Sequence, residues 1–168
     1  ISFGEHGYGA WSQQQLLAAR AGIDCFRAAS EEALRELVAE LGARPVVLVD
    51  LPGGEAKGNL ERVRSVAPGA GAHLLLPAES SAATFRRWLA GNSPAWDSLM
   101  LSKLDEAESP WPLIQALLDH ATPVSFASRG KAIDGLHDGS DNGWLVRLAM
   151  RSLRQALDMS AAPDVKDC

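Results

Sequence analysis

Short apolar runs alternate with amphipathic helical segments along this chain, and that alternation constrains the fold more than any other feature. The apolar runs predict strands at residues 23–26, 46–49, 73–76, 98–101 and 123–127. The segments between and after them predict helices at residues 12–21, 30–41, 59–66, 80–89, 112–120 and 143–159. A repeated strand–helix unit with right-handed crossovers gives an α/β fold, with a doubly wound, mostly parallel sheet and helices on both faces.

Two segments show the local reasons for these predictions. Ser30 is a good N-cap, and Glu31 and Glu32 after it suit the positive end of a helix. Residues 46–49 form a continuous apolar run that stops at Asp50. Such a run is typical of a parallel strand buried on both faces.

The bulk composition bounds the class of protein. The chain has 168 residues, enough for one domain, which we predict over residues 1–160 with a frayed tail over 161–168. A net charge of −5 gives no support for nucleic-acid binding. Cys25 and Cys168 form neither a metal spacing nor a disulfide framework, which favours the cytoplasm. Because the chain starts at Ile1 rather than methionine, we expect a piece of a longer protein.

Residues 102–105 read Ser-Lys-Leu-Asp directly after an apolar run. This is a variant of the [NT]-K-x-D motif with which G-domain proteins recognise guanine. The Asp105 carboxylate can accept two hydrogen bonds from the N1 and N2 edge of guanine, donors that adenine lacks, and the stem of Lys103 can lie along the base. Four residues of this kind arise often by chance, so the motif gains weight only from its surroundings.

Two other predicted strands also end in polar residues, one before and one after the Ser102–Asp105 motif. Asp50 and Gly53 form a D-x-x-G, in which the aspartate can hold a magnesium-bound water and the glycine NH can face a terminal phosphate. Residues Ser128 and Gly130 could let backbone NH groups approach a base. Each sequence also suits a plain turn, and taken alone the turn is favoured. The order D-x-x-G, K-x-D, S-x-G, each after a strand, is much less expected by chance.

Other polar groups give weaker indications. No metal site is predicted, because the histidines are scattered without metal-ligand spacing: His6, His73, His120 and His137. Arg147, Arg151 and Arg154 repeat at helical spacing on the last helix. A solvated face is the favoured interpretation of these arginines, and a partner-docking or acidic-lipid face is the alternative.

From Gly9 to about Leu153 the chain resembles the G domain of signal-recognition-particle GTPases, above all their flagellar branch, the FlhF proteins. Residues 9–13 resemble the family's G-A-x-E-Q, which makes Gln13 a phosphate-side candidate. Residues 49–53 stand where the family has D-T-A-G, and residues 102–106 where it has T-K-[LI]-D-E. Residues 123–131 resemble P-[IV]-x-[FY]-x-T-N-G-Q, and residues 142–153 the closing helix.

Departures from the family pattern concern mainly the phosphate side. These 168 residues contain no G-x-x-x-x-G-K-[ST] loop. Residues 4–7 read Gly-Glu-His-Gly in place of D-T-Y-R, and Gly54 stands in place of the arginine of D-T-A-G-R. Arginines there would steady phosphate charge in a transition state. Lys131 also replaces a glutamine. Taken together, the residues that would recognise the base mostly match the family, and the residues that would bind the phosphates mostly do not.

The resemblance implies a partial or degenerate P-loop NTPase-like G domain with weak or absent GTP hydrolysis, acting in flagellar biosynthesis or placement. One alternative is an intact GTPase whose phosphate loop lies upstream, and another is a protein-interaction module that binds no nucleotide. The implied ligand is GTP or GDP with Mg²⁺, although we expect no measurable affinity for this segment alone. Implied partners are flagellar or membrane-targeting proteins, including a possible homodimer, in the cytoplasm or peripheral to the inner membrane.

The candidate residues fall into two groups, and no catalytic residue is assigned. The nucleotide-binding candidates are Lys103, Asp105, Ser128 and Gly130. The phosphate- and magnesium-side candidates are Asp50, Gly53 and Gln13.

Overall fold

The computed structural model describes residues 1–4, 7–90, 96–107, 109–120, 122–129, 136–138 and 143–160. The chain divides into two compact units, Ile1–Ala70 and Gly71–Cys168. The single domain predicted over residues 1–160 stays a prediction. The predicted tail over residues 161–168 lies outside the described residues.

The described part of the first unit contains two short strands and three α-helices. Its elements are β1 (Ser2–Phe3), α1 (Tyr8–Ala21), β2 (Arg27–Ala28), α2 (Glu31–Leu41), a 3-10 turn (Gly53–Glu55) and α3 (Ala56–Val66). Strands β1 and β2 pair in parallel. Buried apolar side chains from both strands and from α2 and α3 form its core: Phe3, Ala28, Leu34 and Val63.

Helix α2 begins where the sequence predicts. The side chain of Ser30 accepts a hydrogen bond from the backbone NH of Ala33 at 3.2 Å, which satisfies one of the free donors of the first turn. Hydrogen bonds from its own backbone NH and from Ser30 lower the pKa of Glu32. The charged form of Glu32 therefore suits the N-terminal end of α2.

Two strand predictions in the first unit need correction. The strand predicted at residues 23–26 is wrong, because the pairing residues are Arg27–Ala28. Residues 46–49 form no strand either; Asp50 alone makes an isolated parallel bridge, with Ser2.

Burial of residues 46–49 on both faces is also wrong, since Val46 and Leu48 are each 71% exposed. The segment bonds to the N-terminal residues on one side: Asp50 NH donates to Ile1 O at 2.8 Å, and Phe3 NH donates to Asp50 O at 3.1 Å. Along its other side no strand pairs with it among the described residues. Val49 packs against the core of the first unit, so only one face of this segment is covered there. An apolar run is buried on both faces only when other elements cover both faces of the strand.

The second unit is a four-stranded sheet with helices. Its elements are β3 (His73–Pro77), α4 (Ala82–Leu89), β4 (Ser98–Ser102), α5 (Trp111–Asp119), β5 (Val124–Ser128), β6 (Leu136–Asp138) and α6 (Gly143–Ser160). The strand order is β3-β4-β5-β6, with the first three parallel and β6 antiparallel to β5. Parallel sheets flanked by helices confirm the predicted α/β class, and the predicted strands of this unit are confirmed.

The second unit has its core on one face of the sheet. Alternate residues of the strands are buried there: Leu74, Leu76, Leu99, Leu101 and Ala127. They pack with Phe85 of α4, Leu113 of α5 and Leu148 of α6. On the opposite face Leu75 pairs with Met100, and Met100 with Phe126. Leu75 is 64% exposed and Phe126 46%. The stability of this unit therefore depends on the first face.

Truncating Leu99, which is 0% exposed, should cost far more stability than truncating Leu75. We expect Leu99→Ala to lower the free energy of unfolding by about 2–5 kcal/mol, since it removes packed methyl groups and leaves a cavity. Leu75→Ala is the matched control, with a change of about 0.5 kcal/mol or less. Urea denaturation followed by circular dichroism measures both, and equal losses would contradict the one-sided core.

Candidate functional site

The carboxyl ends of β3, β4 and β5 lie at one edge of the second unit's sheet. Ala78 NH donates to Ser102 O at 2.8 Å, and Leu104 NH donates to Ser128 O at 3.1 Å. The first bond joins the loop after β3 to the end of β4, and the second joins the loop after β4 to the end of β5. The structure therefore brings Ser102–Asp105 and Ser128 together, while Gly130 lies outside the described residues. Ligands of open α/β sheets commonly bind at such an edge.

Lys103 is held in an unusual conformation at this edge. Its φ of 58° lies in the left-handed region, which non-glycine residues enter rarely and often at functional sites. Its ammonium donates to Glu106 Oε2 at 3.0 Å and to Glu79 Oε1 at 3.5 Å. The hydrogen bond and charge of Glu106, and then the charge of Glu79, raise the pKa of Lys103. Exposed pairs of this kind contribute little stability, so their main effect is to orient the side chain.

Asp105 lines a cleft of about 260 Å³ that lies wholly within the second unit. Arg129, just after β5, and Arg151, on α6, also line it. Apolar walls come from Leu104, Pro110 and Leu148, among others. The sequence identified Asp105 correctly as a strand-end residue, but it gave no reason to place Arg151 beside it.

The polar groups of this cleft are chemically complementary to a guanine base. A carboxylate accepts hydrogen bonds, and guanidinium groups only donate them. Guanine presents N1–H and N2–H donors on one edge and the O6 and N7 acceptors on another. At about 260 Å³ the cleft lies slightly below the ~300–1,000 Å³ of typical small-molecule pockets, which suits a base more than a whole nucleotide.

The phosphate-side candidates lie in the first unit. The amide nitrogen of Gln14, rather than that of Gln13, donates to the carboxylate of Asp50. The side chain of Gln13 is exposed on α1, and Gly53 is exposed at the start of the 3-10 turn. Sequence reasoning missed Gln14 because residues 13–15 are three consecutive glutamines, which do not reveal which one faces Asp50. The proposed roles of Gln13 and Gly53 stay predictions.

The residues of this part of the first unit do not fit a triphosphate. No lysine or arginine occurs between Asp50 and Glu55. Asn59 is only 2% exposed, and its Nδ2 has no hydrogen-bond partner among the described residues. Nor does any group of three potential metal ligands occur within the described part of the chain. A cation nearby is Arg62, whose Nη1 donates to Asn59 Oδ1 at 3.4 Å. The segment from Asp50 to Glu55 itself offers two carboxylates and no cation to hold phosphates.

Comparison with solved structures assigns the fold. FlhF complexed with GTP and Mg²⁺ aligns with a TM-score of 0.73 and 15% identity, over 89% of this chain and 60% of that chain. The signal recognition particle 54 kDa protein from Aeropyrum pernix K1, in complex with GDP, aligns with a TM-score of 0.60 and 19% identity, over 94% and 41%. Chloroplast FtsY from Physcomitrella patens aligns with a TM-score of 0.64 and 19% identity, over 87% and 54%.

These neighbours are all signal-recognition-particle-type GTPases, and this chain has their P-loop NTPase-like fold. It spans about 60% or less of the length of each neighbour. No protein-family model and no curated protein matches the sequence. At 15–19% identity the likeness is one of fold, which is the fold that the resemblance to signal-recognition-particle GTPases implied.

Gly4→Ala should destabilise the first unit. Gly4 has a φ of 77°, and an added Cβ would lie 2.6 Å from Asn59 Nδ2. We expect a loss of about 1–3 kcal/mol in the free energy of unfolding, from backbone strain and displacement of the buried amide. The matched control is Gly9→Ala in α1, where nothing lies within 4 Å of the added Cβ and a small gain is expected. Thermal denaturation compares them, and equal effects would contradict the geometry of Gly4.

The titration of Lys103 can be followed by NMR of its side-chain carbon atoms. We expect a pKa above the ordinary lysine value, with Glu106→Gln lowering it more than Glu79→Gln. Because the folded pKa is raised, the stabilisation is present at neutral pH and is lost as the pH rises through the folded pKa. A pKa that neither variant changes would show that these carboxylates do not orient the ammonium.

Proposed function

We propose that this chain is a G-domain-like segment of a guanine-nucleotide-binding protein that retains base recognition and hydrolyses GTP weakly or not at all. The observation that carries the proposal is the placement of Lys103 and Asp105 at the carboxyl edge of the second unit's sheet, with Asp105 in a cleft beside Arg129. In this role Asp105 accepts hydrogen bonds from the base. The stem of Lys103, oriented by Glu79 and Glu106, lies along the base.

Weak hydrolysis is supported by two arginines that this chain lacks among the residues expected to face the phosphates. Gly54 and Gly7 stand at two positions where the resemblance to signal-recognition-particle GTPases expects arginines. When bound, Mg²⁺ and charged side chains neutralise the developing charge of phosphoryl transfer, a contribution worth orders of magnitude in rate. Here Asp50 bonds to the neutral amide of Gln14. Asp50 could still hold a magnesium-bound water, but the segment from Asp50 to Glu55 carries no lysine or arginine to steady phosphate charge.

In this proposal the biological role is that of the flagellar branch of the signal-recognition-particle GTPases. FlhF complexed with GTP and Mg²⁺ is among the structural neighbours and gives the highest TM-score of those compared above. We therefore propose action in flagellar biosynthesis or placement, with flagellar or membrane-targeting proteins or a second copy of the chain as partners. Within the described residues no helix is long and apolar enough to cross a membrane. Peripheral attachment to the inner membrane from the cytoplasm is part of the proposal.

Two alternatives use the same fold. In the first, a phosphate loop elsewhere in the polypeptide restores ordinary GTP binding and hydrolysis. In the second, the domain binds a protein and no nucleotide. The retained Ser102–Asp105 motif favours a nucleotide over the second alternative, and the lost arginines favour weak turnover over the first.

Asp105→Asn should change base preference in the full-length protein. We expect GTP affinity to fall at least about tenfold, because hydrogen bonds from the base to a carboxylate are lost. Xanthosine triphosphate should bind better than to the wild type, since xanthine carries a C2 carbonyl that the asparagine NH₂ can donate to. Calorimetry with GTP, ATP and xanthosine triphosphate measures these changes, and Asp119→Asn on α5 is the matched control.

Turnover on the same proteins separates the alternatives. We expect little or no phosphate release from GTP by the wild type. Hydrolysis at a rate usual for signal-recognition-particle GTPases, abolished by Asp105→Asn, would contradict weak hydrolysis and favour the intact GTPase. No guanine-nucleotide binding by the full-length protein would leave only the interaction module.

A further inference from the structure

Helix α6 adds a charged residue to the cleft at Asp105 that no motif of the sequence contains. Leu148, Arg151 and Ser152 all line this cleft. They are three and four residues apart, so they lie on one face of the helix. Leu148 is buried against the core of the second unit, which fixes that face of α6 toward the cleft. Arg151 and Arg154, one turn apart, are both exposed, and of these two only Arg151 lines the cleft.

Resting on the proposed guanine-nucleotide function, we propose that Arg151 is a specificity-determining residue that donates hydrogen bonds to the O6 and N7 edge of the bound guanine. Asp105 supplies acceptors for the N1 and N2 edge, so the cleft would contact two edges of one base. The pairing of arginine with O6 and N7 is the commonest specific contact of this side chain with guanine. Adenine presents an N6 amino donor in place of O6, and a guanidinium, which has no acceptor, cannot pair with it.

The charges in the cleft support this assignment. Among the residues that the structure describes, two guanidinium groups and one carboxylate line it, although the chain as a whole has a net charge of −5. If the charges in the cleft served only to form an ion pair within the protein, one arginine would be enough for Asp105. The second arginine gives the cleft an excess of hydrogen-bond donors, which suits a ligand edge with two acceptors.

The test measures the affinity of the full-length protein for GDP and for 7-deaza-GDP, which lacks the N7 acceptor. We expect Arg151→Ala to weaken GDP binding at least about tenfold, the effect of losing one charge-assisted hydrogen bond. The same substitution should cost clearly less with 7-deaza-GDP. Arg151→Lys should recover part of the GDP affinity, because lysine keeps the charge and loses the bidentate geometry. Arg154→Ala is the matched control and should bind both ligands like the wild type.

The outcomes distinguish the two proposals. If the wild type binds GDP and Arg151→Ala binds it equally well, the assignment of Arg151 is overturned and the proposed function stands. An equal loss for GDP and 7-deaza-GDP, or a loss that follows a lowered melting temperature, shows a structural role and also overturns the assignment. Failure of the wild type to bind GDP overturns both proposals.

Discussion

Main-chain hydrogen bonding between the parallel strands β3, β4 and β5 is the constraint on which the candidate site depends. Parallel pairing places the ends of the three strands at one edge, and the bonds from Ala78 to Ser102 and from Leu104 to Ser128 continue that pairing into the loops. Residues separated by more than twenty positions therefore become neighbours. The loop after β4 is also fixed closely enough to hold Lys103 at a φ of 58°.

One-sided burial keeps this edge in place. Leu99 and Leu101 of β4 are almost fully buried against α4 and α5, so the central strand cannot shift without opening the core. The same packing includes Leu148 and thereby orients α6. Arg151 reaches the cleft as a consequence of core packing, because its position on the helix is fixed relative to that leucine. Core and site are thus connected through α6.

The two groups of candidate residues differ in charge. Asp105 lies in a cleft with two arginines, and Lys103 bonds to two glutamates, so the base-side candidates are surrounded by opposite charges. Asp50 bonds to a neutral amide, in a segment without a lysine or arginine from Asp50 to Glu55. A base is recognised by directed hydrogen bonds, whereas a triphosphate also needs positive charge and Mg²⁺. This contrast is the physical basis for proposing base recognition with little hydrolysis.

The sequence alone determined the α/β class, the cap of α2 at Ser30, the parallel strands β3, β4 and β5, and the position of Asp105 just after a strand, because these depend on local periodicity and capping. It did not predict the short antiparallel strand β6. It could not determine that Val46 and Leu48 are exposed, since burial depends on which elements cover each face of a segment. It could not choose Gln14 over Gln13 for Asp50, nor place Arg151 beside Asp105. Only the tertiary structure decided those contacts, because they join residues far apart in sequence whose meeting is set by sheet order and helix packing.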